Sequence, residues 1–210
     1  MNVTTLLVAS SNPGKLGEYR ELAATGLADA PIELDLLPGL DLLPKFDESA
    51  PTFAENAAGK ALHYSQFAEH PVLADDSGLE VAALGGAPGV QSARYAGPNA
   101  SDADRVRKLL GELRASGSAD RSARFVCIIA VAERGRVLCV LSAAAEGEIL
   151  EAPRGAGGFG YDPVFYFPPL KKTFAEISRE EKNFYSHRGQ AFRKLQEFLA
   201  SSRAKVAAHP

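Results

Sequence analysis

The stretch Val3-Thr4-Thr5-Leu6-Leu7-Val8-Ala9-Ser10-Ser11-Asn12-Pro13-Gly14-Lys15 changes character twice. Residues 3–9 are apolar and β-branched, the pattern of a short buried strand. Residues 10–15 are small and polar and read as a turn. A helix is expected from there to about Ala24, with Asn12 as its cap and Pro13 in its first turn. A strand feeding a helix in this way puts the helix N-terminus at the carboxyl edge of a sheet, where α/β folds bind ligands. Backbone N–H groups and the helix dipole favour an anion there. Lys15 would add a point charge to a phosphate, and Glu18, three residues on, is placed to hold it. The turn is not G-x-x-x-x-G-K-S/T, so it is no P-loop, and an ordinary turn with a surface lysine fits the same letters.

Working outward, Thr52-x-x-Glu55 has the form of a capping box, and the helix it opens is expected to reach about Glu69. Val72 to Ala74 reads as a short strand that ends in an Asp75-Asp76-Ser77-Gly78 turn. Ser101-x-x-Asp104 starts a third helix, with Val106, Leu109, Leu110 and Leu113 on one face. Arg124 to Ala132 and Arg136 to Ala144 flank Gly135 as a hairpin. Pro153 to Tyr161 is a glycine-rich loop, Val164 to Phe167 a further strand, and Arg188 to Ser201 a last helix with Phe192, Leu195 and Leu199 facing inward. Strands alternate with helices and a hairpin follows, which predicts an α/β fold around a mixed sheet. With no internal repeat and no low-complexity linker, a single continuous domain over 1–210 is expected.

Composition narrows the function classes. Of 210 residues, 46% are hydrophobic and 23% charged, an ordinary globular balance. The formal net charge of −3 gives no basic excess for a duplex-binding surface, although a local basic pocket for a small anion remains open. No apolar run approaches the roughly 20 residues of a membrane span. Residues 1–9 lack the basic region and apolar length of a signal peptide. Cys127 and Cys139 form no C-x-x-C pair and read as small strand residues. The cytoplasm is the expected compartment.

Several segments carry residues suited to chemistry. Asp75 and Asp76 follow an apolar strand, and two carboxylates there suit magnesium, which takes one or two carboxylates together with substrate phosphates. One of them could instead accept a proton from attacking water, and a polar Asx turn is the plain alternative. The helix start around Asn56, Gly59 and Lys60 has a polar face beside small residues, as if something packs closely there. Glu48, just upstream, is either a loop carboxylate within reach of a divalent metal or a surface acid. Phe159-Gly160-Tyr161-Asp162 lies among glycines that permit close ligand approach, and Phe159 could stack on a base. Lys182, Ser186, His187 and Arg188 supply donors without a carboxylate, which suits the carbonyl edge of an oxidised purine, or merely a polar helix start.

Read together, SSNPGK, TFAENAAGKA, LADDSGLEVAALGGAPGVQSARYAG, GFGYDPVF, KTFAEIS and EKNFYSHRGQAF resemble the inosine/xanthosine triphosphate pyrophosphatase family (Ham1/RdgB-like). They run in order from near residue 10 to near residue 195, with no strong motif between residues 26 and 47. The resemblance implies an elongated mixed sheet with flanking helices, two lobes around a central cleft, a homodimer, and Mg²⁺. It implies hydrolysis of ITP, dITP and XTP to a monophosphate and pyrophosphate, clearing deaminated purines from the nucleotide pool. By the same resemblance Ser10, Ser11, Asn12, Pro13, Gly14 and Lys15 hold the triphosphate, and Asn56 and Lys60 support the phosphates. Asp76 and Glu48 take the metal with Asp75 beside them, Asp76 accepts the proton, and Ser77 contacts substrate. Phe159, Gly160, Tyr161, Asp162, Lys182, His187 and Arg188 form the base-binding set. The rivals are a Maf-type pyrophosphatase acting on pyrimidine triphosphates, a nucleotide sensor without turnover, and an interaction protein that kept the fold.

Overall fold

The computed structural model describes residues 4–25 and 31–207. Val3 of the expected first strand, and residues 26–30 of the segment without a motif, lie outside them. Strand β1 (Thr4–Val8) leads through the polar turn into α1 (Pro13–Ala24), capped by Asn12, whose side chain accepts the Lys15 N–H at 3.1 Å. β2 (Ile32–Leu36) pairs parallel with β1 along its length, and β3 (Val72–Val81) pairs parallel on the other side, at Leu7 with Val72 and Val8 with Leu73. The chain thus leaves β1, pairs first on one flank and then on the other. Such a reversal of strand order is where open parallel sheets bind ligands. Because β3 begins to pair only as β1 ends, Asp75 and Asp76 lie beyond the carboxyl end of β1, level with the Ser10–Lys15 turn.

Asp75-Asp76-Ser77-Gly78 is not a turn. It sits in the middle of the ten-residue β3, in which every residue is buried or half-buried. Asp and Gly are weak strand formers alone, but burial on both faces leaves the backbone groups no partner except the neighbouring strands. β4 (Ser122–Glu133) and β5 (Arg136–Ile149) form the expected hairpin and outrun the expected ends. Arg134 and Gly135, at φ 48° and 75°, make the left-handed two-residue turn that matches strand twist. β6 (Phe165–Phe167) and β7 (Lys172–Thr173) add antiparallel pairs, and the sheet order is β2-β1-β3-β4-β5-β6-β7. The fold is therefore α/β, a mixed seven-stranded sheet with flanking helices.

Helix α2 (Phe53–Ser65) stops short of Glu69. The Ser65 hydroxyl donates to Leu62 O and accepts the Gly135 N–H, both at 2.9 Å, and so ends the helix against the hairpin turn. α3 (Asp102–Ser116) opens on a true capping box of Ser101 and Asp104 and buries Val106, Leu109, Leu110 and Leu113 as expected. α4 (Arg179–Tyr185) was not expected, although Ser178-x-x-Glu181 is the same signal. α5 (His187–Ala207) buries Phe192 and Leu195.

Two compact units share the chain: residues 1–76, 127–143 and 188–210, and residues 77–126 and 144–187. The first packs Leu6, Val8, Tyr19, Leu73, Ile129 and Phe192 into one core, and the second packs Leu79, Leu109, Leu113, Phe125, Phe165 and Phe174 into another. Cys127 is buried in β4 and Cys139 half-buried in β5, both as free thiols. No helix among the described residues is long and apolar enough to cross a membrane.

Candidate active site

In the first unit the two neighbouring aspartates of β3 face opposite sides of the sheet, as successive strand residues must. Asp75 is fully buried, with Oδ2 2.8 Å from Lys15 Nζ and 3.8 Å from Arg188 Nη2. Burial alone would raise its carboxyl pKa. Lys15, Arg188 and Lys60 reverse that and hold it at about 2. Arg188, at the start of α5, is 2% exposed and also pairs with Glu18 of α1. Burial disfavours its charge, but Glu18 and Asp75 keep the guanidinium ionised, well above its ordinary pKa.

Asp76 has the other fate. Its Oδ2 accepts a 3.0 Å bond from the neutral Asn56 amide, and burial pushes its carboxyl up to about 6 in spite of Lys15, Asn56 and Lys60. Asn56 is itself pinned, accepting the Ala50 N–H at 3.0 Å and donating to Ala50 O at 3.3 Å. Lys60 Nζ lies 3.0 Å from Glu48 Oε1. Burial works against its charge, yet Asp75 and Glu48 raise its pKa overall. The small residues of this helix have a reason: a Cβ on Gly59 would lie 2.5 Å from the Phe46 ring. Among the described residues no three His, Cys, Asp or Glu side chains form a ready-made metal cage. A buried carboxyl held at about 6, with the Glu48 charge acting on it, still suits a divalent cation that brings its other ligands with it.

In the second unit the glycine-rich loop is built around Asp162, which is 2% exposed. Its Oδ2 accepts the Phe159 N–H at 2.8 Å and pairs with the Lys182 ammonium of α4. That ammonium stands 4.6 Å over the Phe159 ring. Gly158, at φ 70°, is required here because a Cβ would fall 2.0 Å from Asp162 Oδ2. Tyr161 is a core residue whose hydroxyl donates to Ser92 O at 2.9 Å. The buried His187 ring lies parallel to Phe125, centroids 4.7 Å apart. Ser77 follows Asp76 on β3 and is half-buried.

The profile of the Ham1 family matches residues 6–198. The chain belongs to the Ham1 family. It is 49% identical over 192 residues to a dITP/XTP pyrophosphatase of Geobacillus kaustophilus, covering 91% of this chain and 92% of that protein. A dITP/XTP pyrophosphatase of Gloeobacter violaceus is 50% identical over 193 residues, 90% of this chain and 91% of its own. Among solved structures, a HAM1 protein from Coxiella burnetii superposes with a TM-score of 0.84 at 44% identity, over 95% of this chain and 100% of the other. The Staphylococcus aureus Ham1 protein gives 0.82 at 38% identity, with the same coverage of both chains.

Within this Ham1 chain, Lys15, Glu48, Asn56, Lys60, Asp75 and Asp76 belong to one unit, and Ser77, Phe159 to Asp162, Lys182 and His187 to the other. Arg188 pairs with Glu18 and lies 3.8 Å from Asp75 within the first unit. Spacing along α1 places Glu18 to hold Lys15. Instead Lys15 pairs with Asp75, and Glu18 crosses to Arg188, 170 residues on. No local spacing announces that pair. The Ser10–Pro13 turn is half-buried to exposed, and Ser10 Oγ accepts the Asn12 N–H at 3.3 Å.

Proposed function

We propose that this Ham1 chain hydrolyses dITP, ITP and XTP to the monophosphate and pyrophosphate, working as a cytoplasmic homodimer on deaminated purine nucleotides. The observation that carries the reading is Asp76. It is a buried carboxyl poised at about 6 beside Lys15 and Lys60, in a chain about half identical to dITP/XTP pyrophosphatases over nine-tenths of its length. A base of that strength is mostly ionised at neutral pH and close enough to it to take a proton from water efficiently.

Roles follow from the contacts. Asn56 orients the Asp76 carboxylate, which accepts the proton of the water attacking the α-phosphorus. Lys15 and Lys60 offset the charge that develops on the departing pyrophosphate. Asp75, already engaged by Lys15 and Arg188, holds Lys15 in place, while Asp76 and Glu48 are the residues that would hold Mg²⁺. When bound, magnesium supplies charge neutralisation of the triphosphate. The turn of Ser10, Ser11, Asn12, Pro13 and Gly14 at the head of α1 receives phosphate oxygens through its backbone N–H groups, while Pro13, which has none, sets the first helical turn. The base falls to the second set: Phe159 offers a stacking face, Lys182 and His187 meet the 6-keto oxygen, and Ser77 contacts the substrate. Adenine presents a 6-amino donor in place of that acceptor, which leaves buried donors unsatisfied and slows turnover by orders of magnitude.

The test is a panel of ITP, XTP, dITP, GTP, ATP, UTP and dTTP with and without Mg²⁺, with products identified. Magnesium-dependent pyrophosphate release from the inosine and xanthosine nucleotides, with ATP and GTP nearly untouched, is the expected outcome. A preference for UTP or dTTP overturns the base assignment, and tight ITP binding without turnover makes the protein a sensor.

A further inference from the structure

The glycine-rich loop is held from outside by a residue that no motif singles out. Gly160, at φ 63°, donates its N–H to Asp102 Oδ2 at 2.6 Å. Asp102 is the first residue of α3, where an acid needs no explanation beyond the helix dipole, a role it shares with Asp104. The rest of its surroundings do not follow from that role. Its other oxygen, Oδ1, is held by the Arg105 guanidinium. Arg105 Nη1 in turn donates to Ala93 O at 2.9 Å and to Ala100 O at 2.7 Å. Ala93 belongs to the 3-10 turn Gly89–Arg94, and the adjacent Ser92 carbonyl receives the Tyr161 hydroxyl at 2.9 Å. One small turn therefore ties down Gly160 and Tyr161 by separate routes. On their other side Asp162 holds the Phe159 N–H. Phe159 sits on a loop fixed at three successive positions, and the Asp102 bond is a charge-assisted link from another element to the loop backbone.

We infer that Asp102, oriented by Arg105, is a positioning residue for base recognition. It fixes the Phe159-Gly160 peptide so that the Phe159 ring is presented in one pose. The inference rests on the base assignment proposed above. A glycine at φ 63° has wide backbone freedom, and without an anchor on its N–H the neighbouring aromatic ring would sample many orientations, each ordered anew at a cost to binding. Asp102 lies in the second unit together with the Phe159–Asp162 loop, so its effect is expected on the base rather than on phosphate chemistry.

The experiment compares the wild-type chain with Asp102→Ala and Asp102→Asn, the latter keeping an acceptor for the Gly160 N–H. Hydrogen exchange of residues 155–162 is read first. It is expected to speed up about tenfold in Asp102→Ala and to return close to wild type in Asp102→Asn. Steady-state kinetics on dITP come next, with KM expected to rise about tenfold in Asp102→Ala while kcat changes less than about threefold, and the dITP-over-dATP preference falling in step. Unchanged exchange in Asp102→Ala overturns the anchor. Faster exchange with unchanged KM and unchanged discrimination overturns the positioning role and leaves Asp102 a helix-end acid. A wild-type chain that does not turn over dITP sinks the proposed function instead, and the exchange measurement still decides the anchor.

Discussion

In the second unit Asp162 and Lys182 answer each other: both are at most 5% exposed, and the pair closes around the Phe159 N–H. In the first unit Asp76 meets the neutral amide of Asn56, and its carboxyl sits at about 6. Its neighbour Asp75, one residue away on the same strand, receives Lys15 and Arg188 and is held at about 2. Closed pairs such as Asp162–Lys182 and Asp75–Lys15 fix geometry. The Asp76 carboxylate keeps its charge at a cost, and a costly charge is what a proton, a divalent cation or a reacting water relieves. The difference separates an acid held low by ammonium and guanidinium groups from one pushed upward by burial, in a chain where both are buried and both lie among motif residues.

The sharpest break of that comparison is Asp76→Asn. Activity on dITP is expected to fall by about three orders of magnitude. The metal-free variant, meanwhile, should be more stable than wild type at pH 8. The sign follows from a folded pKa of about 6 above the ordinary 3.8: Asp76 favours the folded state at low pH, and that contribution is lost as pH rises through 6. Asparagine does not ionise, and removing the loss is worth up to about 3 kcal/mol. Chemical denaturation at pH 5 and pH 8 checks it, with the gap between variant and wild type growing at pH 8.

Asp75→Asn should do the opposite to stability, costing about 3 kcal/mol at neutral pH because Lys15 and Arg188 lose a buried counter-charge. Its folded pKa of about 2 lies below the ordinary value, so its stabilisation is present above 3.8 and fades between 3.8 and 2. A denaturation midpoint unchanged in this variant would erase the distinction between the two aspartates. Gly158→Ala is expected to cost about 2 kcal/mol and raise KM for dITP, since the new methyl lands on Asp162 and the left-handed backbone strains it. Smallest is Ser178→Ala, which removes the cap of the helix carrying Lys182. About 1 kcal/mol of stability should go, with KM within twofold, because the Asp162–Lys182 pair holds the lysine independently of the cap.

Much of this was legible in the letters because the signals were local. Asn12 before Pro13, and Ser101 three residues before Asp104, mark helix starts through backbone chemistry that needs no partner elsewhere. The apolar face of α3 and the Gly135 turn belong to the same class. What failed was set by distant packing. Asp75-Asp76-Ser77-Gly78 reads as a turn until both faces of β3 are covered. β7 is a two-residue edge strand with no pattern of its own, whereas β2, the other edge, alternates apolar and polar residues from Ile32 to Leu36 and carries a local strand signal. The helix start at Ser178 is a local signal as well, a capping box closed by Glu181. At the site, the residue types were readable but their division of labour was not. That Glu18 serves Arg188, and that one aspartate is quenched while the next is left strained, depends on side chains brought together from α1, α2, β3 and α5.

Hydrolysis of dITP by the wild-type chain in ¹⁸O-labelled water, with Mg²⁺ and mass analysis of both products, tests the account most directly. Water activated by Asp76 and attacking the α-phosphorus predicts dIMP carrying the label and unlabelled pyrophosphate. Label in pyrophosphate, or release of orthophosphate with dIDP, would contradict it.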